Sequence, residues 1–377
     1  MNYSKFHSIQ TPIVCARKKT TYSYIENLPR LELASNLSNI PNLGGNDTEN
    51  NFSYEINFDY FTIHDFHSNP TIVNSLSDNC FSALHCNVRS LSANHDNLTS
   101  LLTNINYNFH MIGISETKLV KNKDCVVNIS IPGYQFFSQP SLHNAGGVGF
   151  YIRAEIEFHL RDDLSSTSND YECLWIEVHC KSHNIVCAVV YRHPNGNLEN
   201  FINYFTAATD KISKECKFAV LMGDFNINLL NYESHTPTDE FINMLGTYYF
   251  QPHILKPTRI TDHSATLIDQ IYFNSVEHHT VSGNLLYDIS DHLPNFLIIN
   301  KIIYTSFKPT IYRRNYSLLN EESLLSEVKA IDWEEVFPSE TDTNTLFDSF
   351  LVKITEIVNK HAPLQKVSKR KLKLQSK

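Results

Sequence analysis

From Phe81 to Asn300 short apolar runs alternate with polar links rich in Asn and Ser. "FSALHCNV", "HMIGISE", "GGVGFYIR", "CLWIEVHC", "NIVCAVVYR", "FAVLMGD", "DQIYFN" and "NFLIIN" are rich in β-branched and aromatic residues and predict buried strands. Two windows instead repeat at helical spacing: "ANHDNLTSLLTNI", through Leu98, Leu101, Leu102 and Ile105, and "NLENFINYFTAATDKI", through Phe201, Tyr204, Phe205 and Ala208. "TDEFINMLGTY" predicts a third helix, with Thr238 as its cap. Strands outnumber helices and alternate with them irregularly. That order fits an α/β chain of two packed sheets flanked by helices better than one doubly wound parallel sheet.

The pattern is weaker outside this region. Residues 1–80 are rich in Asn and Ser, as in "NLSNIPNLGGNDTENNFS", and read as a largely disordered arm. Residues 81–303 form the strand-rich domain. Residues 304–377 turn polar and helical, with "SLLNEESLLSEVKAIDW" and "NTLFDSFLVKITEIVNKH" as two amphipathic helices. The closing run "KVSKRKLKLQSK" is basic and reads as a solvated tail or a nucleic-acid contact.

Composition narrows the class. The 42% hydrophobic content supplies a sizeable core. No apolar run is long enough for a membrane span, and the start of the chain lacks a secretory h-region. The eight cysteines form no C-x-x-C pair, which disfavours a zinc ribbon. Several sit in apolar runs, as free thiols in a reducing compartment do. A nuclear or cytoplasmic protein is expected. The net charge of −9 argues against a passive nucleic-acid coat but allows an enzyme whose carboxylates hold a metal.

The candidate chemistry lies at strand ends. In "VLMGDFNINLL" an apolar strand stops at Gly223, and Asp224 and Asn226 follow two residues apart. Gly-Asp-x-Asn is also ordinary turn chemistry, because Asx side chains bond their own backbone. If the segment stays extended, the spacing puts both side chains on one face. Other strands end alike: "ALHCN" at Asn87, "IGISE" at Glu116 and "AVVYRHP" near Tyr191. Asp269 opens "DQIYF", and Asp291 and His292 precede the last strand. Each has a plainer reading. Asn87 could cap a strand-to-helix connection, Tyr191 could be an interface tyrosine, and Asp269 could pair with Arg259.

Taken in order, these residues resemble the exonuclease–endonuclease–phosphatase superfamily. "LHCNVRSLSANHDNLTSLL", "IGISETKL", "NAGGVGFYIR", "VVYRHP", "LMGDFNINLL", "TLIDQIYFN" and "SDHLPNFLI" resemble, more narrowly, the endonuclease domain of LINE-type non-LTR retrotransposons. Residues 304–377 resemble the connector that precedes a reverse transcriptase, and no polymerase Asp-Asp motif is present. The resemblance therefore implies a chain truncated before a reverse transcriptase, or a free-standing derivative. It implies a DNase I-like four-layer α/β/β/α sandwich of two mixed sheets.

The resemblance also implies roles. Glu116 would hold Mg²⁺, with Mn²⁺ able to substitute, beside Asn87 and Asp291. His292 would contact the scissile phosphate or activate water, with Asp269 fixing its tautomer. Asp224 would move a proton. Asn226 and Tyr191 would donate hydrogen bonds to the phosphoryl oxygens. Arg192, Thr266 and Ser264 would bind substrate at the rim, where His193 is also a candidate.

The implied activity is a DNA endonuclease acting as a monomer on double-stranded DNA. It leaves a 3′-hydroxyl and a 5′-phosphate, with element RNA a possible second partner and no membrane involved. A phosphatase of the same fold, or a catalytically silent remnant recruited as a binding module, are the alternatives.

Overall fold

A computed structural model describes residues 28–31, 57–76, 79–119, 129–142, 145–305, 312–316, 319–337 and 343–366. The chain divides into two compact units, Met1–Phe307 and Lys308–Lys377. The first unit opens with β1 (Asn57–Phe61), α1 (Ile63–Ser68), α2 (Pro70–Ser75), β2 (Cys80–Asn87), α3 (Leu91–Ile105) and β3 (Met111–Ser115). β4 (Tyr134–Gln139), β5 (Val148–Arg153), β6 (Phe158–Leu160), β7 (Ser166–Thr167), β8 (Tyr171–Val178) and β9 (Ile185–Arg192) come next. After α4 (Leu198–Lys214) and β10 (Phe218–Asp224) come α5 (Thr236–Thr247) and β11 (Gln251–Pro252). The hairpin β12 (Arg259–Ile260) and β13 (Ala265–Thr266) precedes β14 (Asp269–Phe273), β15 (Thr280–Leu285) and β16 (Asn295–Asn300).

The strands build two mixed sheets, in the orders β1-β15-β16-β2-β3-β5-β4 and β11-β14-β10-β9-β8-β6, with β7 also paired to β8. β2, β3, β8 and β9 are buried along their whole length, as strands covered on both faces must be. Leu98, Leu101 and Ile105 of α3 pack with Leu84, Ile112 and Ile114 on the outer face of the first sheet. Phe201 and Phe205 of α4 and Phe241 of α5 pack with the second sheet. Between the sheets Phe81, Ala83, Met111 and Phe150 meet Val189, Val220 and Met222. Each fully buried Val, Met or Phe side chain among them contributes about 1.5–3 kcal/mol over an exposed one. The expected sandwich of two mixed sheets with flanking helices is therefore the observed architecture.

Several details differ from the sequence reading. Within the arm expected to be largely disordered through residue 80, the described residues 57–76 form β1, α1 and α2. β1 runs parallel to β15, from Asn57↔Val281 to Phe61↔Leu285. α1 carries a Thr62–Asp65 capping box, and Asn69 with Pro70 starts α2. Phe66 is fully buried against Phe109 and Phe296. The Asn- and Ser-rich average hid this short amphipathic stretch. Of residues 1–56, only Leu28–Leu31 are described. Leu31 is buried, and its N–H donates to Leu255 O at 2.7 Å.

β15 was missed because "TVSGNL" reads as polar, yet every residue is buried. Ser282 Oγ donates to His253 O, Asn284 Nδ2 donates to Pro257 O, and bare Gly283 leaves room for the Phe61 ring. Thr238 is not a cap. The N-cap of α5 is His235, and the Thr238 hydroxyl lies 2.9 Å from its Nδ1.

The second unit contains α6 (Glu321–Lys329), α7 (Trp333–Val336) and α8 (Thr343–His361), with β17 (Tyr312–Arg314) paired to β18 (Leu364–Lys366). Trp333 stacks on Phe337 and Phe350. The basic run after Lys366 lies outside the described residues. Among the described residues no helix is long and apolar enough to cross a membrane.

One ion network stands in the first unit's core. Arg161 Nη1 donates to Glu177 at 2.9 Å, and the rest of its guanidinium grips Asp163 and Glu215. Lys217 reaches Glu177 at 2.6 Å. Burial alone would raise the Glu177 carboxyl, but Lys217, Asn184 and Arg161 bring it down to about 2. This stabilisation is present above the ordinary value of 4.5 and is lost as pH falls toward about 2. Arg161→Ala should destabilise the fold by about 3 kcal/mol at pH 7, because it removes one of the two cationic partners of a buried carboxylate and leaves Lys217 alone to balance it. In urea titrations the deficit relative to wild type should shrink as pH drops below about 4.5. A deficit that stays constant down to acid pH would contradict this account.

Candidate active site

Two strand–helix–strand crossovers aim at the same edge of the sandwich. β2 and β3 are parallel and joined by α3; β9 and β10 are parallel and joined by α4. Parallel neighbours require such crossovers, so both strands of a pair end on the same side. Asn87 and Ser115 are partners at the end of one pair, and Tyr191 and Asp224 at the end of the other. Glu116 directly follows Ser115.

The two ends meet. Asn87 Nδ2 donates to Glu116 Oε1 at 2.9 Å and to Asp224 Oδ2 at 2.8 Å. One amide thus bridges a carboxylate of each sheet. Its Oδ1 accepts the Arg89 N–H at 3.0 Å, which turns the chain out of β2. Arg89, Glu116, Lys118 and Asn226 all have φ near +50°, a conformation sparsely used by non-glycine residues. Such strain gathers where surrounding contacts over-determine the backbone.

Gly223 explains how β10 approaches β9. At φ +153° a Cβ there would run into Val190 O. The chain does not stay extended beyond it. Asp224 Oδ1 accepts the Asn226 N–H at 3.0 Å, an Asx turn, and Asn226 is left-handed. Asn226 Nδ2 donates to Arg192 O at 2.7 Å. The turn and the polar cluster are one structure.

Arg192 differs from its expected role at the rim. It is buried, and its guanidinium donates to the Phe225, Asn226 and Gly196 carbonyls at 2.8–2.9 Å. It is committed to holding the 224–226 turn. Tyr191, also buried, pairs with Glu172 across β8 and β9. Burial, and then the carboxylates of Glu116, Asp224 and Glu172, push its phenol well above the usual range.

Asp269 stands across from Asp224 in antiparallel register. Burial and then the charge of Asp269 push Asp224 up to about 7. Burial would raise Asp269 as well, but the adjacent His292 overcomes it and holds it low. His292 Nδ1 lies 2.8 Å from Asp269 Oδ2, which also accepts the Thr258 hydroxyl at 2.6 Å. Burial opposes a charge on His292, yet Asp269 and then Asp224 raise it to about 9. Asp269 thus pairs with His292, not with Arg259. Ser290 Oγ donates to Asn87 O at 2.6 Å and accepts the His292 N–H at 3.1 Å, so it ties His292 to β2.

Glu116, Asp224 and His292 each offer one ligand atom, all within 4.8 Å of one another. Two carboxylate oxygens and an imidazole nitrogen suit a divalent cation. Asp291 stands outside this group. Its Oδ2 accepts Arg259 at 2.8 and 2.9 Å, and its Oδ1 lies 3.5 Å from Arg89. Ser264 and Thr266 lie on the β12–β13 hairpin, where Ser264 is exposed and its hydroxyl is 2.9 Å from Thr261 Oγ1. Backbone pairing of Arg259 with His292 fastens that hairpin to the cluster.

Sequence reasoning missed Thr258, Ser290 and Glu172. Ser290 adjoined the "DH" pair already in view. Glu172 was legible as a charge inside the apolar run "YECLWIEV". Thr258 gave no signal.

Two packed mixed sheets with flanking helices form a DNase I-like hydrolase fold, used by nucleases and phosphatases. The chain belongs to the endonuclease/exonuclease/phosphatase family, whose model matches residues 79–292, more than half its length. Enzymes of this family typically use a divalent metal.

Among solved structures, the endonuclease domain of TRAS1, a telomere-specific non-LTR retrotransposon, is 13% identical. It covers 59% of this chain and 99% of its own, with a TM-score of 0.43. The AP endonuclease LMAP from Leishmania major is 12% identical over 59% of this chain and 88% of its own, with a TM-score of 0.47. The Xenopus laevis APE2 catalytic domain is 15% identical over 61% and 94%, with a TM-score of 0.46. No curated protein matches the sequence.

Two outcomes follow from the geometry. Asp269→Asn should drop the His292 titration from about 9 toward or below its ordinary 6.5, read by NMR of the imidazole. A titration left near 9 would show that Asp269 is not what charges His292. Arg192→Leu should destabilise folding by about 3 kcal/mol in denaturant melts, because three carbonyls lose their donor. A stable Arg192→Leu chain that has lost only phosphate affinity would return Arg192 to the rim.

Proposed function

We propose that the chain is a metal-dependent DNA endonuclease of retrotransposon origin, nicking double-stranded DNA to leave a 3′-hydroxyl and a 5′-phosphate. The observation that carries this is the Glu116–Asp224–His292 cluster, bridged by Asn87 and backed by Asp269. The motif order along residues 81–303, followed by the connector-like 304–377 segment, favours DNA over a phosphoinositide.

Phosphodiester cleavage needs negative charge on the phosphate to be balanced, a water to lose a proton and a leaving oxygen to be stabilised. Glu116 would hold Mg²⁺ or Mn²⁺, and that cation would supply charge neutralisation at the phosphate, which leaves Asp224 and His292 for proton transfer and phosphate contact. The electrostatics divide the remaining work. Asp224, raised to about 7, is poised to accept a proton from water near neutral pH. His292, raised to about 9, is a cation at that pH and serves as a charge partner for a phosphoryl oxygen.

Asn226 spends one amide hydrogen on Arg192 O, so its second N–H can meet the phosphoryl oxygen. Tyr191, kept protonated by its surroundings, donates from its hydroxyl. Asn87 acts through the two carboxylates it bridges. Arg89 and Arg259, paired with Asp291, are cationic groups beside the cleft for the DNA backbone.

The purified chain should convert supercoiled plasmid to open circles with Mg²⁺ and not with chelator. Glu116→Ala and His292→Ala should abolish conversion. Asn226→Ala should reduce kcat by about 10²–10³, the usual loss for one transition-state donor. A folded chain that nicks nothing at any metal concentration would overturn the reading; turnover of a phosphomonoester instead would move it to the phosphatases of the same fold.

A further inference from the structure

Glu172 is a buried carboxylate that the proposed chemistry does not use. It is fully buried in β8, directly across from Tyr191. Its Oε1 lies 2.9 Å from His193 Nε2 and 2.6 Å from Ser141 Oγ. Its Oε2 is buried and accepts no hydrogen bond among the described residues. Such a group costs free energy in a core unless its placement does something else.

Its neighbours supply that use. Gly146 has φ +90°, and a Cβ there would lie 2.8 Å from Glu172 Oε2 and 3.0 Å from His193 Cε1. The backbone of this glycine therefore passes directly over the carboxylate. The Gly146 and Gly147 carbonyls in turn accept the Lys118 and Thr117 N–H groups, at 2.8 and 3.0 Å. Those are the two residues after Glu116. Glu116 and Lys118 are both left-handed, at φ +52° and +53°, so the Glu116 loop depends on outside contacts for its shape.

Ser141 Oγ also lies 2.6 Å from Ala145 O, which joins the end of β4 to the approach to Gly146. On the opposite side, the His193 ring meets the Tyr191 ring edge-on at 5.1 Å. Glu172 thus touches both the loop behind Glu116 and the segment after Tyr191.

We propose that Glu172 is a positioning residue: through Gly146–Gly147 and His193 it sets the Glu116 loop and Tyr191 in the geometry that binds the metal. The inference rests on the reading of Glu116 as a metal holder. Groups that orient ligands in this way are typically worth about 10–100-fold in metal affinity. A carboxylate with a purely structural role would lower stability and leave the affinity of the folded protein unchanged.

The test is Mn²⁺ binding to the full chain, followed by electron paramagnetic resonance, with folding checked by circular dichroism. Wild type should bind and Glu116→Ala should not. Glu172→Ala should bind about 10–100-fold more weakly. Glu172→Gln, which keeps the shape and an acceptor, should recover most of that loss. Should Glu172→Ala fail to fold, Gly146→Ala carries the test by its negative outcome: it crowds the carboxylate and strains a backbone at φ +90°, so wild-type Mn²⁺ affinity would show that this route does not set the site.

A folded Glu172→Ala or Gly146→Ala chain with wild-type Mn²⁺ affinity would overturn the inference alone. Absence of Mn²⁺ binding by wild type would instead overturn the reading of Glu116, and this inference with it.

Discussion

The site depends on one amide spanning two sheets. Asn87 stands on the first sheet and Asp224 on the second, and a single nitrogen of Asn87 reaches both Asp224 and Glu116. Two hydrogens on one nitrogen are what this geometry needs; a hydroxyl would satisfy only one carboxylate. The bridge also requires the sheets to lie close. Gly113 in β3 permits this, because a Cβ there would come within 2.6 Å of Met222 Sδ. Core packing between the sheets therefore sets the separation of the carboxylates. A change in the core would reach the site as a change in that distance.

Charge within the cluster is sorted by partners. Asp224 and Asp269 face each other in register, and two buried carboxylates so placed do not ionise alike. His292 and Thr258 engage Asp269, which stays low, while Asp224 rises to about 7. The same pairing raises His292 to about 9. A proton acceptor and a cation are thus generated side by side from ordinary side chains. Asp291, one residue away, takes another course: burial would raise it, but His292 and Arg259 hold it low, and it spends its oxygens on arginines. Adjacent in sequence, Asp291 and His292 face different partners.

Much of this was legible in the sequence where the signal was local. Apolar runs located β2, β3, β5, β8, β9, β10, β14 and β16 because those strands are buried on both faces and need apolar residues throughout. Strands satisfied by side-chain-to-backbone bonds, such as β15, carried no such mark, and β1 was lost in a polar average. At the site, Asn87, Glu116, Asp224 and Asn226 stood out as polar residues after apolar runs, and Asp269 and His292 as polar residues before them. What each one touches was not legible. The sequence reading sent Arg192 outward to substrate, whereas two of its three carbonyl partners, Phe225 and Asn226, are more than thirty residues away and meet it only in the fold. Thr258 and Ser290 act through single hydrogen bonds, which leave no periodicity to read.

The segment "GDFN" resolves the choice between a turn and a chemical site. Its Asx turn is the means by which the side chains are aimed. Asp224 uses Oδ1 to bind the Asn226 N–H and keeps Oδ2 for Asn87. The left-handed Asn226 then directs its amide to Arg192 O, and Arg192 closes the ring by gripping the Asn226 carbonyl. Each bond is individually modest, about 1 kcal/mol net. Together with Phe225, buried against Phe201, Phe205, Phe241 and Tyr272, they fix a backbone that would otherwise relax. Gly223 is the residue that lets this begin, because only there can β10 come so near Val190 before it turns. A turn built from acceptor and donor side chains is also a ready-made arrangement for moving a proton and contacting an oxyanion, so the local fold and the proposed chemistry draw on the same atoms.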